Sequence, residues 1–319
     1  MSRFAQLFGR FSARRPLPPW LALHAGEGAL LGALAIAGSE PRPAVQLMPP
    51  APISERADTL RSWRESIGKP VRANAVLRSS EYRVLPIEPP DLPDNELREA
   101  ARWQIADALD FPVEQASIDL LNLPTASGGV ARQRFAVAAP HEHVTRWLQQ
   151  CREAALPLHS IEIPEMAMRN LSVLAAGDSA HAFLHIGLRS TRLALIWKRE
   201  LCSFRHLEVS ATQFAERDGE GRTALHERLA LDVQRTVDAF ARQFSGIDLE
   251  TLWLSSLFEP EAGAEALGLQ LAQRVRHFVL DDHVQVNGPV PALDLSRSLD
   301  HLLVIGAALR TDSEPHELH

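Results

Sequence analysis

The chain has 319 residues, 45% hydrophobic and 23% charged, with a formal net charge of −7. That is a globular composition with length enough for two lobes, and its acidic balance excludes a nucleic-acid footprint over the whole chain. Two cysteines, Cys151 and Cys202, supply neither a disulfide framework nor a zinc site and fit a reducing cytosol as buried apolar residues.

The opening MSRFAQLFGRFSARRPLPP stands apart as a segment over 1–19. Phe4, Leu7, Phe8 and Phe11 follow the i, i+3, i+4, i+7 spacing of one helix face, among Arg3, Arg10, Arg14 and Arg15, and the prolines end the pattern. A basic amphipathic segment suits an anionic membrane surface or a partner groove; the alternative is a segment that packs its phenylalanines on its own domain.

Trp20 to Gly38 is long and apolar enough to resemble a membrane anchor, but His24, Glu27 and several glycines interrupt it. A charged residue near the bilayer centre costs about 2.5–3.5 kcal/mol. The better reading is a β-hairpin over 20–36 with Gly26-Glu27-Gly28 as its turn. A proline-rich connection follows over 39–52, then a polar helix over 53–67 and one or two strands within 70–88. PDNELREAARWQIADALDFP reads as a helix capped by Asp94 and closed by Pro112, with Leu97, Ala101, Ile105, Ala108 and Leu109 on its apolar face. Trp103 falls opposite that face, either to cover a neighbouring subdomain or to await a partner.

Strands over 115–122 and 130–138 flank the TASGG loop, a helix spans 141–155, a strand 158–163, and Pro164 opens another helix. FLHIGLRSTRLALIW (183–197) then repeats the Leu-His phrase of LALHAGEGALLGALAI (21–36) and reads as a second hairpin. KRELCSFRHLEV (198–209) reads as a further strand pair. A helix over 222–244 carries Leu225, Leu229, Val233, Val237, Phe240 and Phe244 as one stripe. After it come a strand over 249–258 with a Ser255-Ser256 turn, a helix over 260–267, a strand over 275–280 and a final helix through LDHLLVIGAALR. A hairpin opens each of two similar runs, which is an α/β chain with internal duplication.

Two such hairpins resemble the plan of the actin-like (RNase H-like) nucleotide-binding fold. The runs 81–124, IEIPEMAMRNL (161–171), LALDVQRTVDAF (229–240) and IGAALR (305–310) narrow this: they resemble the corresponding regions of PilM/MshI-type pilus biogenesis proteins, with the MSHA-pilus MshI-like branch the closest. The resemblance implies a duplicated two-lobe fold. Subdomain 1A would take 20–78, 156–175 and 301–319, an inserted α/β subdomain 79–155, and the second lobe 176–300. It implies a cytoplasmic platform component at the inner-membrane face of a type IV or MSHA-like pilus, docked by the cytoplasmic tail of a bitopic PilN/MshJ-like protein. Homo-oligomerisation is compatible with it. The inserted subdomain and its groove with 1A would meet the partner, with Arg102 and Trp103 the first residues to probe.

In actin-like ATPases each phosphate hairpin carries an aspartate that organises Mg²⁺; the resemblance places His24 and His185 there. A neutral imidazole is a poor substitute for a hard-metal oxygen ligand. The first turn keeps Gly26, Glu27 and Gly28, and the second keeps Gly187, Arg189, Ser190 and Thr191 as phosphate donors. Ser255-Ser256 stands where the family usually has a glycine pair, before the bulky Leu257 and Phe258, and Gly306 lies in the closing IGAALR run. These departures imply a degenerate cleft: a scaffold with no catalytic residues, no metal and ATP/Mg²⁺ disfavoured. The alternative is an ATP-binding switch that controls docking of the partner's tail, with Glu27, Glu162 and Glu165 the acidic candidates. A sugar-kinase-like enzyme lacks a motif for its general base. No third ligand accompanies the two histidines, and HEH (141–143) reads as a helix start.

Overall fold

The computed structural model describes residues 17–26, 28–36, 42–88, 90, 92–124, 133–289 and 298–311. The first hairpin is β1 (Trp20–Ala25) and β2 (Leu30–Ile36), extended by β3 (Ala44–Leu47). Helix α1 (Arg56–Ile67) crosses over to β4 (Arg72–Val76), which lies parallel to β1. β5 (Arg83–Ile87), α2 (Asp94–Ile105), β6 (Ala116–Asn122), β7 (Arg134–Pro140) and α3 (His141–Glu153) follow, and β5, β7 and β6 make a separate three-stranded sheet. β8 (Leu158–Glu162) returns to the first sheet, and α4 (Pro164–Ala176) leads out of the lobe.

The plan then repeats. β9 (His181–Ile186), β10 (Thr191–Trp197) and β11 (Glu200–Leu207) are followed by α5 (Ala211–Ala215), the long α6 (Gly219–Gln243) and β12 (Thr251–Ser256), parallel to β9. α7 (Pro260–Gly268), β13 (Arg274–His277), α8 (Leu280–His283), β14 (Gln285–Asn287) and α9 (Leu299–Ala308) complete the described chain. Strand orders β14-β3-β2-β1-β4-β8 and β11-β10-β9-β12-β13 are the same topology, with β14 added. β14 lies within the range read as second lobe, yet pairs in parallel with β3.

β1, β9 and β10 are buried at every residue, as apolar strands covered on both faces must be. Helix α9 is apolar all round and buried from Leu302 to Ala308, which makes it a central helix shared by both lobes. Its core cluster joins Ala22, Leu31 and Val76 of the first lobe to Phe183, Ala194 and Phe278 of the second. A Cβ on Gly306 would lie 2.2 Å from the Ala167 carbonyl oxygen, so glycine alone lets α9 cross α4 this closely. The predicted stripe on α6 is buried throughout.

Several expectations change. The proline-rich connection holds β3, because Pro43 and Pro49 bracket rather than interrupt Ala44–Leu47; the Pro43 carbonyl even accepts from Gln285 N–H at 2.9 Å. The expected strand pair over 198–209 is one strand, since Lys198 and Arg199 at φ 52° and 64° form the tight turn that joins it to β10. Ser255 and Ser256 end a strand instead of forming a turn. Pro93, not Asp94, is the N-cap of α2. Among the described residues no helix is long and apolar enough to cross a membrane.

Candidate functional site

β1 carries His24 to the mouth of the first hairpin, where the ring is 2% exposed. Nδ1 donates to the Val76 carbonyl at 3.0 Å, and Nε2 lies 3.3 Å from Oδ1 of Asp300. Asp300 stands in the first turn of α9, where the helix dipole favours a carboxylate. A Cβ on Gly26 would fall 2.2 Å from Asp300 Oδ2, so the glycine makes room for that carboxylate. The Gly26 N–H donates to Ala29 O at 3.0 Å, closing the turn on itself, and Gly28 faces open space. Glu27 lies outside the described residues, as do Phe4, Leu7, Phe8 and Phe11.

The second hairpin places His185 in full burial, Nδ1 3.0 Å from Ser255 Oγ, its strand neighbour. Nε2 has no hydrogen-bond partner among the described residues. Burial, reinforced by the Arg192 charge and opposed by Asp300, lowers its pKa to about 3, so the ring is neutral. Asp300 thus bears on both histidines. The Gly187 N–H closes its own turn on Ser190 O at 3.0 Å, and Thr191 Oγ1 donates to Val209 O at 2.7 Å. Ser190 is half-buried and Arg189 exposed. Ser256 Oγ donates to Phe258 O at 2.7 Å, while the Phe258 ring lies between Phe214, stacked at 6.2 Å, and the Arg222 guanidinium at 4.7 Å. Gly306 lies where α9 crosses α4.

The two described acidic candidates face elsewhere. Glu162 accepts from Asn74 Nδ2 at 2.6 Å and Asn170 Nδ2 at 3.3 Å, and burial raises its pKa. Glu165, 2% exposed, accepts from Tyr82 OH at 2.6 Å and lies 3.0 Å from His206 Nε2 and 3.5 Å from Arg192. Burial pushes its pKa up, but His206, Arg192 and Tyr82 together bring it below the ordinary carboxylate value.

A magnesium triphosphate fits these residues poorly. It needs turn N–H groups, hydroxyls and positive charge aimed at phosphate oxygens. Here the Gly26 and Gly187 N–H groups and the Thr191 hydroxyl are committed internally, His185 is neutral, and a carboxylate fills the first mouth. Asp300 escaped the sequence reading, because nothing in SLDHLL marks a contact 276 residues away in the chain.

On the inserted subdomain, Leu97, Ala101 and Ile105 are buried as expected, and Trp103 is 69% exposed with no cover among the described residues. Arg102 serves the fold: it donates to Val113 O at 2.6 Å and Ala116 O at 3.3 Å. Cys151 and Cys202 are buried free thiols with pKa values pushed up to about 12 by burial.

No family model and no curated protein matches the sequence. Among solved structures, the PilM-PilN type IV pilus biogenesis complex matches with a TM-score of 0.65 at 21% identity, over 92% of this chain and 98% of that one. The cytoplasmic domain of EpsL, an inner-membrane component of the type II secretion system of Vibrio cholerae, matches over 92% and 96% at 9% identity and a TM-score of 0.48. A Bacteroides thetaiotaomicron protein with an actin-like ATPase fold and unknown function matches over 92% and 99% at 10% identity, TM-score 0.47. The chain has the α/β actin-like ATPase fold, built on three sheets.

Proposed function

We propose that this chain is a docking scaffold of a type IV pilus platform, working at the cytoplasmic face of the inner membrane without nucleotide turnover. The observation that carries the reading is the first hairpin, whose mouth is filled by the chain's own Asp300 carboxylate against Gly26 and His24. A carboxylate there repels the triphosphate that this fold otherwise holds. The likeness to the PilM-PilN complex supports a bitopic PilN-like partner, and the overall sequence resemblance to PilM/MshI-type proteins favours an MSHA-like branch. Trp103, exposed on α2, is the side chain placed to meet the partner's tail.

The competing reading, an ATP-dependent switch, has Asp300 itself in its favour, because metal-bound water needs an acidic partner. Two measurements decide. Titration of Mg-ATP into the full chain is expected to give no saturable heat, and a photo-crosslinker at position 103 is expected to trap the short tail of a single-span inner-membrane protein in cells. Micromolar Mg-ATP binding that Asp300→Asn abolishes would establish the switch instead. Absence of any crosslink to such a tail would sink the docking role.

A further inference from the structure

The chain has 6 tryptophans, and most of them already hold one of its own cations against the ring. Arg72 and Arg310 flank Trp20 at 4.0 and 5.0 Å, and Arg56 lies over Trp147 at 4.6 Å. Lys198 lies over Trp197 at 4.5 Å and Arg276 over Trp253 at 5.6 Å. Trp63 is sealed in the core of the first lobe. Trp103 alone of the set is exposed, and no cation of the described residues covers its ring.

The surroundings of that ring are acidic. At about 3.6 residues per turn, Glu96, Glu99 and Asp107 fall on the same face as Trp103, and all three are exposed. The basic residues of the helix do not neutralise this face. Arg98 lies 3.3 Å from Asp119. Arg102 turns its guanidinium to the Val113 and Ala116 carbonyls, leaving Nε 3.3 Å from Glu99. Arg83, beyond the helix end, is taken by Asp110. Glu96 and Asp107 have no ion-pair partner among the described residues, nor has the exposed Glu114 in the turn that Arg102 grips. Helix energetics do not account for the arrangement. Glu96 and Glu99 repel each other at i, i+3, and Asp107 stands past the last turn of α2, where the helix dipole disfavours a carboxylate.

We propose that this face of α2 receives a cationic stretch of the partner's cytoplasmic tail, with a Lys or Arg side chain seated on the Trp103 ring between Glu99 and Asp107. The inference rests on the docking role proposed above and names the chemistry of what docks there. An indole face attracts an ammonium or guanidinium group, and exposed carboxylates around it steer that group in and hold its register. The occupant's charge follows from the membrane as well as from the face. Short cytoplasmic segments next to a membrane span carry an excess of Lys and Arg, so the tail of a single-span protein brings the complementary sign.

Titration of the full chain with two short synthetic peptides tests it, one carrying lysines among leucines and serines, the other glutamates in their place. The lysine peptide is expected to bind about tenfold more tightly or better, and high salt to erase the difference. Trp103→Leu keeps apolar bulk but removes the ring, and is expected to weaken that binding about threefold to fivefold. Glu96→Gln with Asp107→Asn is expected to weaken it about threefold or more. Glu220→Gln with Glu227→Gln, exposed on α6, is the control for attraction to the chain's overall charge and leaves binding unchanged. Equal binding of the two peptides, no binding of either, unchanged binding in either α2 variant, or an equal loss in the α6 control would overturn the proposal. So would self-association that Trp103→Leu abolishes in light scattering, which makes a second copy the occupant, or a crosslink from position 103 to this chain's own segment 1–16. The crosslinked tail separates the two readings. A tail without Lys or Arg in the linked stretch overturns this proposal and leaves the docking role standing, whereas absence of any trapped tail overturns both.

Discussion

His24 and His185 stand at equivalent strand positions, yet their surroundings differ in kind. His24 faces a carbonyl and a carboxylate, both acceptors, whereas His185 is sealed beside one hydroxyl with its other nitrogen unpaired. With its folded pKa near 3, against 6.5 for the free ring, His185 takes up a proton only on unfolding across that interval. Stability is intact above about pH 6.5 and falls as acid is added, by about 1.4 kcal/mol per pH unit from this residue. Burial lowers the pKa of His181, His226 and His283 as well, so they steepen the same slope. Urea midpoints at pH 7 and pH 5 are expected to differ less in His185→Gln than in the wild type; an equal difference would remove His185 from the account. Arg102 and Trp103 give a second contrast. Arg102→Ala strands two carbonyls and is expected to cost about 1–3 kcal/mol in denaturant melts, while Trp103→Ala stays within about 0.5 kcal/mol. Helical periodicity sets Trp103 off the apolar face but does not say whether a neighbouring subdomain covers it; at 69% exposed it has no cover among the described residues. The same periodicity is silent on where the neighbouring guanidinium reaches, because that depends on a loop eleven residues on.

At the scale of elements, periodicity and punctuation made most of the fold readable. The α6 stripe, the two hairpins and the Pro164 helix start all follow from local rules that the tertiary structure leaves intact. One misreading, over 39–52, lies where a neighbouring strand overrides local chemistry. β3 exists because β2 and β14 pair with its two edges, despite the prolines around it. The packing at Gly306 was also invisible locally, since the resemblance puts this residue at the cleft and nothing in IGAALR marks a helix crossing. The structure makes it a crossing, and a methyl group there must displace backbone of α4. Gly306→Ala is therefore expected to destabilise by about 1–3 kcal/mol in thermal or urea melts. Gly28→Ala, with nothing within 4 Å of the added atom, is the control and is expected to change stability by less than about 0.5 kcal/mol. Similar losses in both would remove the crossing from the account.

On the scale of the whole molecule, the question is what makes two lobes one cooperative unit. The α9 core supplies apolar contact across the junction, and Phe135 of the inserted sheet meets Phe204 of β11 at 5.5 Å. Glu165 adds a polar tie: from the start of α4 it holds Tyr82 on one side and Arg192 and His206 on the other. Ser79 also accepts from Arg192 across the same junction. Because the folded carboxyl has a lowered pKa, this tie is fully present above the unfolded value of 4.5 and is lost as pH falls through the folded one. Glu165→Gln leaves the Arg192 charge buried without its counterion, which is expected to cost about 3–5 kcal/mol. Tyr82→Phe removes one hydrogen bond to a charged group and is expected to cost about 1.5–3 kcal/mol. Calorimetry separates the tie from mere local stability. If Glu165 couples the lobes, its Gln variant unfolds in two resolved transitions while Tyr82→Phe keeps one. A single, downshifted transition in Glu165→Gln would assign the coupling to α9 and the shared apolar core, with the buried ion cluster acting only within its own neighbourhood.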